Sequence, residues 1–389
     1  MAVVLLLLAL LGHAVLWIAL VNRIDGLVAR RALCKRLTRL AKLCAVLIPL
    51  AVGFGLTEGD VAILAGKPWL RVSWAGATYV TLCWLAGIFA IFTWLGRRVL
   101  FRSPPVPGWQ RSALHEIARP TVGGTAPRHL LAHTPGNQAF ELDVTERGLE
   151  IARLPQALDG LRISHLSDLH LSAATGKAFF QEVVRLSNDF KPDLVAVTGD
   201  FVERDEYIDW IPDTLGRLTS RYGVYFVLGN HDVVADTARL RRTLIDCGLI
   251  HLGGRSIQTQ VRGEPVTLMG NELPWFPQLA DQVRPPLYPA QARPLVIALS
   301  HTPDQLPWAR SCEVDLLLAG HTHGGQICLP WIGPILVPSR WGVKYASGTF
   351  SAPPTVMHVS RGISGKVPLR IYCRPELGRL VLRPPTASR

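Results

Sequence analysis

The sequence predicts an α/β domain bearing a two-metal site, preceded by an N-terminal transmembrane helical region. Three observations carry this. Five short polar clusters end apolar runs in the second half of the 389-residue chain. Helix-period stretches separate several of those runs. The long apolar segments are concentrated in the first hundred residues.

Residues 2–21 are interrupted only by Gly12 and His13, about the 20 residues that a helix needs to cross a bilayer. No Lys or Arg precedes this run, and it exceeds the ~7–15 apolar residues of a cleaved signal, so an anchor is the better reading. His13 is expected to make a polar contact between helices. Residues 22–42 are basic, with Arg23, Arg30, Arg31, Lys35, Arg36, Arg39 and Lys42 against Asp25, and are expected to form a loop. A shorter apolar run at 41–58 and a longer one at 72–95 supply two further spans. Trp69, Trp74, Trp84 and Trp94 give the last partial interface character, and Arg97, Arg98 and Arg102 follow it. The positive-inside rule then puts both basic segments, and the domain beyond them, in the cytoplasm. Residues 1–102 thus form a membrane anchor, 103–138 a Pro-, Gly- and Arg-rich linker, and 139–389 the folded domain, opening with a strand at 139–144.

The net charge of +12 agrees with this division. Residues 1–102 hold 12 Lys and Arg against 3 acids, and the remainder 29 against 26, so most of the excess lies beside the apolar segments. No basic stripe interleaved with aromatics accompanies it, and no nucleic-acid partner is expected. The seven cysteines form no CxxC pair, which reads as reduced thiols rather than a disulfide framework.

The strand-like run 161–166 delivers Asp168 and His170, two positions apart. On an extended segment such residues point the same way, so a carboxylate and an imidazole grip one ion. A helix follows at 175–190, with Phe179, Phe180, Val183, Val184 and Leu186 as its core face. The buried run 194–198 releases Gly199 and Asp200, where a carboxylate is placed to bridge two cations. After a second helical stretch, 224–228 leads into Gly229, Asn230, His231 and Asp232. Asn230 offers a neutral oxygen ligand. His231 is placed to protonate a leaving group, with Asp232 holding its other nitrogen. The same four residues also read as an Asn-capped helix start. His301 follows 295–300, and His321 and His323 follow 316–319. A solitary histidine after a strand is commonly a core or surface residue; the HxH pair is harder to dismiss.

Together, Asp168-x-His170, Gly199-Asp200, Gly229-Asn230-His231-Asp232, His301 and Gly320-His321-x-His323 resemble the signature of the calcineurin-like metallophosphoesterases. Residues 320–326, reading GHTHGGQ, with Ser360-Arg361-Gly362 and Arg374-Pro375-Glu376, resemble its membrane-associated bacterial branch. The resemblance spans about residues 149–385, and no ligand position is substituted. It implies a four-layer αββα sandwich and a domain on a bacterial inner membrane. It further implies one metal on Asp168, His170, Asp200 and His323, a second on Asp200, Asn230, His301 and His321, and His231 as general acid supported by Asp232. Hydrolysis of a phosphodiester or pyrophosphate bond would follow, by attack of a hydroxide bridging the metals. Mixed nitrogen and oxygen donors suit Mn, Fe or Zn.

Two apolar loops bear on substrate. One, 271–290, contains Trp275, Phe276 and four prolines before Tyr288; the other, 330–341, contains Trp331, Ile332, Ile335, Leu336 and Trp341. Both read as ordinary packed loops or as an apolar rim at the bilayer. The rim would favour a lipid-linked phosphoester such as a UDP-diacylglucosamine-type lipid A precursor, with Arg340 and Lys344 as candidate phosphate contacts. The alternatives are a broad phosphodiesterase or phosphomonoesterase merely tethered to the membrane, and a non-catalytic scaffold with a structural metal site.

Overall fold

The computed structural model describes residues 2–25, 31–55, 74–99, 108–117, 131–276 and 293–385. They divide into two compact units. One is built from residues 1–105 with 338–342; the other comprises Val106–Val337 and Val343–Arg389.

The first unit contains α1 (Ala2–Asp25), α2 (Arg31–Gly55) and α3 (Trp74–Val99). Within α1, Val3–Ile24, and within α3, Gly76–Thr93, are long and apolar enough to cross a membrane. The expected loop at 22–42 is corrected, because α1 continues through Asp25 and α2 begins at Arg31. Leu33, Leu37, Leu40 and Leu43 recur at helical spacing among Lys and Arg, which are themselves good helix formers. Of the expected span 41–58, residues 41–55 form the second half of α2, and 56–58 lie outside the described residues, as do Trp69 and Arg102.

Small residues let α1 and α3 approach closely. A side chain on Gly12 would strike the Cys83 carbonyl, and one on Gly87 would meet the Leu8 carbonyl oxygen at 2.7 Å. His13 makes the interhelical contact expected of it. Its Nδ1 lies 2.5 Å from Tyr79 Oη on α3, and its Nε2 lies 2.9 Å from the Ala45 carbonyl on α2.

The second unit is a sandwich of two sheets. The larger has the order β1 (Gln110–Glu116), β2 (Glu141–Glu150), β15 (Glu376–Arg383), β3 (Leu161–Leu166), β4 (Leu194–Thr198), β5 (Val224–Val227) and β6 (Ile250–His251). The smaller has the order β13 (Gly348–Ala352), β14 (Thr355–Val359), β10 (Leu316–Ala319), β9 (Leu295–Ser300), β8 (Glu264–Asn271) and β7 (Ser256–Val261). Strands β3 to β6 are mutually parallel, as are β8, β9, β10 and β14. A short pair, β11 (Cys328–Leu329) and β12 (Gly333–Pro334), stands apart from both.

Period-two alternation sorts the strand residues into separate cores. On β4, Leu194 and Ala196 face the intersheet layer with Leu161, Ile163, Leu295, Ile297, Leu316 and Leu318. Val195 and Val197 face the opposite way, onto α4 (Lys177–Asp189) and α5 (Thr237–Asp246) through Phe180, Val183, Leu240 and Leu244. On the smaller sheet, Val296, Ala298, Leu317 and Ala319 pack against Leu306 and Ala309 of α6 (Leu306–Ser311). The result is the expected four-layer αββα sandwich. Strands buried on both faces explain why these runs are continuously apolar rather than alternating.

Two local expectations are corrected. The second helical stretch before β5 is a pair of 3₁₀ turns, Asp205–Trp210 and Leu215–Arg217. Pro212 has no N–H to continue a helical ladder beyond Ile211. The helix after the GNHD cluster begins at Thr237, with Asp236 rather than Asn230 accepting from the Arg239 N–H at 3.0 Å.

The intersheet layer also encloses a polar string. Arg147 donates to His358 Nε2 at 2.6 Å and pairs with Glu376 at 2.8 Å. His358 Nδ1 therefore carries hydrogen and donates to His165 Nδ1 at 3.0 Å, leaving His165 Nε2–H to meet Thr198 Oγ1 at 2.9 Å. Burial drives the His165 pKa down to about 4, against partial relief from Glu376 and Asp168. Burial, reinforced by Arg147, holds His358 well below the ordinary range.

A pH dependence follows. Below the ordinary histidine value of 6.5, the unfolded chain takes up a proton that folded His165 refuses until about pH 4. Stability is therefore intact above 6.5 and is lost as pH falls through this window, by about 3 kcal/mol for His165 alone. Unfolding of the detergent-solubilised chain at pH 7, 5.5 and 4.5 should show this decline, and His165→Gln should flatten it. An unchanged slope in the variant would remove His165 as its source.

Candidate active site

The predicted ligands converge from both sheets. Asp168 and His170 follow β3, Asp200 follows β4, Asn230 follows β5, His301 follows β9, and His321 and His323 follow β10. Five of them have left-handed backbone: Asp168 (φ 53°), His170 (φ 45°), Asp200 (φ 59°), His321 (φ 71°) and His323 (φ 50°). Such conformations cost on the order of 1 kcal/mol or more each outside glycine, and they persist where surrounding structure over-determines them. Asp168 and His170 therefore do not lie on an extended segment, as their spacing had suggested. The strand ends at Leu166, and backbone bonds fix the turn instead, from Asp168 N–H to Gly199 O at 3.0 Å and from His170 N–H to Asp200 O at 2.9 Å. Gly199 sits at φ 85°, where a Cβ would lie 2.6 Å from Gly229 N and 2.8 Å from His301 Nδ1. Only a residue without a side chain lets these loops close.

Three groups of potential ligand atoms lie within 4.8 Å of one another: Asp168, His170 and His323; Asp200, His301 and His321; and His170, Asp200 and His231. Asp200 Oδ2 connects them, at 3.5 Å from His170 Nε2 and 3.3 Å from His301 Nε2. His323 Nε2 lies 3.5 Å from Asp168 Oδ1. Asn230 Oδ1 lies 3.1 Å from His301 Nε2, and His321 Nδ1 lies 3.2 Å from the same nitrogen.

The donor set fits divalent cations. His170 donates Nδ1–H to Glu203 Oε1 at 2.7 Å, His301 to Thr198 O at 2.6 Å and His323 to Ser364 O at 3.2 Å. Each ring is thereby oriented with its Nε2 lone pair turned inward, the usual outer support of a metal-binding imidazole. His170 Nε2 is buried without a hydrogen-bond partner.

The electrostatics report the same demand for positive charge. Burial opposes ionisation of Asp168 and Asp200, yet the neighbouring histidines hold both below the ordinary carboxylate value. Burial pushes His321 and His323 down to about 3, so both are neutral donors at pH 7. For His301 burial is overcome by the Asp200 carboxylate, and its pKa rises to about 9. A proton on its Nε2 would point to Asp200 and Asn230, where a cation offsets the same negative potential.

One assignment changes partner. Asp232, expected to hold His231, instead accepts three backbone N–H groups, from Asp200 at 2.9 Å, Phe201 at 2.8 Å and Gly229 at 2.8 Å. Burial and Asp200 raise its pKa to about 7, while the N–H bonds from Gly229 and Phe201 oppose the rise. The carboxylate facing His231 is Glu203, with Oε1 at 3.0 Å from His231 Nδ1 and 2.7 Å from His170 Nδ1. Burial disfavours the Glu203 charge, but hydrogen bonds from the two histidines hold it well below the usual range. Sequence reasoning passed over Glu203; its one signal was its place three residues after Asp200.

Of loop 271–290, residues 277–290 lie outside the described residues. Trp275 is at the site, its ring 5.3 Å from that of His301 and 5.1 Å from that of His321. Arg340 lies over Trp341 at 5.1 Å and Lys344 over Tyr345 at 4.9 Å.

Residues 161–325 match the calcineurin-like phosphoesterase family model. The chain belongs to this family, and with this site it is a metal-dependent phosphoric ester hydrolase with a dinuclear centre. It is 30% identical over 227 residues to Phosphodiesterase YaeI of Escherichia coli, covering 57% of this chain and 82% of that one. It is 28% identical over 399 residues to a transmembrane protein with metallophosphoesterase domain of Danio rerio, covering 97% and 87%. It is 27% identical over 280 residues to UDP-2,3-diacylglucosamine pyrophosphatase LpxG of Chlamydia muridarum, covering 58% and 85%.

Glu203→Gln should lower metal affinity and turnover by about 10–100-fold, because both rings lose their charged acceptor. Metal titration of the purified variant, alongside its kcat, checks this, and wild-type values for both would exclude the role. Asp232→Asn should instead lower thermal stability, since a carboxamide cannot accept on both sides.

Proposed function

We propose that this chain hydrolyses a phosphodiester or pyrophosphate bond in a lipid-linked substrate at the cytoplasmic face of a bacterial inner membrane. The observation that carries the phosphoester reading is the single Asp200 oxygen common to two ligand groups, beside the imidazole of His231. The lipid reading is supported by α1 and α3 and by the similarity to a pyrophosphatase acting on a UDP-diacylglucosamine. The apolar Trp275 face over His301 and His321 suits an amphiphile entering from one side.

In this reading Asp168, His170, Asp200 and His323 hold one ion, and Asp200, Asn230, His301 and His321 hold the other. Two ions of Mn, Fe or Zn would neutralise charge on the phosphoryl oxygens and lower the pKa of water. His231 delivers a proton to the leaving oxygen. Its side chain is 22% exposed, against 1% for His170, so it is the ring that a substrate reaches. Glu203 holds its Nδ1 and offsets the charge of the protonated ring. Asp232 acts one step back, fixing the backbone between Gly199 and Gly229.

Four measurements test this reading. His231→Ala should cost about 10²–10⁴ in kcat on an alkyl phosphodiester and much less on an aryl ester whose leaving group needs no proton. Equal losses on both would remove the acid role. The full chain, loaded with Mn, should turn over UDP-diacylglucosamine in mixed micelles faster than soluble aryl phosphodiesters. A second reading, a tethered phosphodiesterase of broad specificity, draws on the similarity to Phosphodiesterase YaeI; it gains if removal of residues 1–102 leaves turnover of the lipid unchanged. A reporter joined after Arg389 fixes the compartment.

A further inference from the structure

Two thiols lie beneath the loop that carries His323, where no step of the chemistry uses them. Cys328 opens β11, and Cys373 lies far along the chain. Their segments are joined by a bridge between Ile327 and Ile371 and by a bond from Cys328 N–H to Ile371 O at 2.9 Å. Both thiols point at one acceptor. Cys328 Sγ lies 3.4 Å from Gly324 O and Cys373 Sγ 3.5 Å from it, and Cys373 Sγ also lies 3.3 Å from His323 O. The fully buried guanidinium of Arg370 completes the cluster, donating to the carbonyls of His323 at 3.0 Å and Arg361 at 2.7 Å, and to that of Ser364. Ser364 O is also the acceptor that orients the His323 ring.

We propose that Cys328 and Cys373 are an oxidation site, closing a reversible disulfide that weakens metal binding through His323. This rests on the reading of His323 as a metal ligand. Converging on the one Gly324 oxygen from two bridged segments, the thiols are neighbours before reaction, as disulfide closure requires. Exposed Ile327, Leu329 and Tyr372 flank them, so a small oxidant meets the pair just under the surface.

With a peroxide as oxidant, one thiol gives two electrons to the O–O bond and becomes a sulfenic acid, releasing water. The other sulfur attacks it, the S–S bond forms, and a second water leaves. Two thiols and one peroxide thus yield one disulfide and two waters. The carbonyls of His323 and Gly324 lose their S–H donors, and β11 becomes tied to residue 373. Both changes act on the backbone that sets the His323 ring.

The test uses the full chain in detergent, loaded with Mn, treated with hydrogen peroxide, alkylated and digested. Mass spectrometry should find a peptide crosslinked through Cys328 and Cys373, with bound metal and kcat reduced at least fivefold and restored by dithiothreitol. Cys328→Ser, which keeps a donor for the Gly324 carbonyl, should keep basal turnover and resist this loss. Failure to crosslink while Cys44 or Cys247 oxidises would overturn the proposal, as would a crosslink with unchanged metal content. His323→Ala separates the two layers of argument. If it retains both ions, the ligand reading fails whatever the thiols do.

Discussion

Asp168 and Asp200 are enclosed by protein on all sides, and the form of the sandwich follows from what it takes to keep two anions there. An uncompensated buried carboxylate costs several kcal/mol. Hydrogen bonds meet part of this: Asp168 accepts from Ser167 Oγ and from His321 N–H, and Asp200 from His231 N–H. Imidazoles crowd the rest of the space. Their inner nitrogens carry lone pairs, which repel one another and the carboxylates unless a cation stands between them. Left-handed turns at five candidate-ligand positions, and a glycine where no side chain fits, are the local costs of that convergence.

Support for the site is distributed rather than local. Asp232 gathers the amides of three residues from two loops, so the ends of β4 and β5 behave as one piece. Glu203 joins His170 to His231 through one oxygen. Arg370 ties the carbonyl of His323 to those of Arg361 and Ser364. None of these is a ligand in the proposed scheme, yet each fixes the direction of a group that is.

Much of this was legible from residue order. The runs 161–166, 194–198, 295–300 and 316–319 became β3, β4, β9 and β10 with those bounds, because continuous β-branched and leucine-rich segments buried on both faces have little else to become. The polar residue after each run marked where the chain leaves the sheet. Glu203 was less visible, since it lies in an irregular stretch where no period fixes side-chain direction. The His165–His358 contact joins residues 193 apart, and pairing at that distance depends on sheet order, which no local pattern encodes. Asp232 was assigned to its neighbour in sequence, although turn geometry points its oxygens at backbone amides. In the basic segment before residue 42 the charge suggests a loop, while the leucine spacing makes residues 31–42 helix.

The candidate ligands are divided between layers. Asp168, His170, Asp200 and Asn230 extend from the larger sheet, and His301, His321 and His323 from the smaller. Between the sheets the contact is largely aliphatic, with the His165–His358 string as a directional tie. Cations held by both sets would rivet the layers in one register, and their binding energy would add to the cohesion of the whole domain. Loading and maturation would then be a single event, and metal supply in the cell would govern how much of this enzyme survives as well as how fast each copy works.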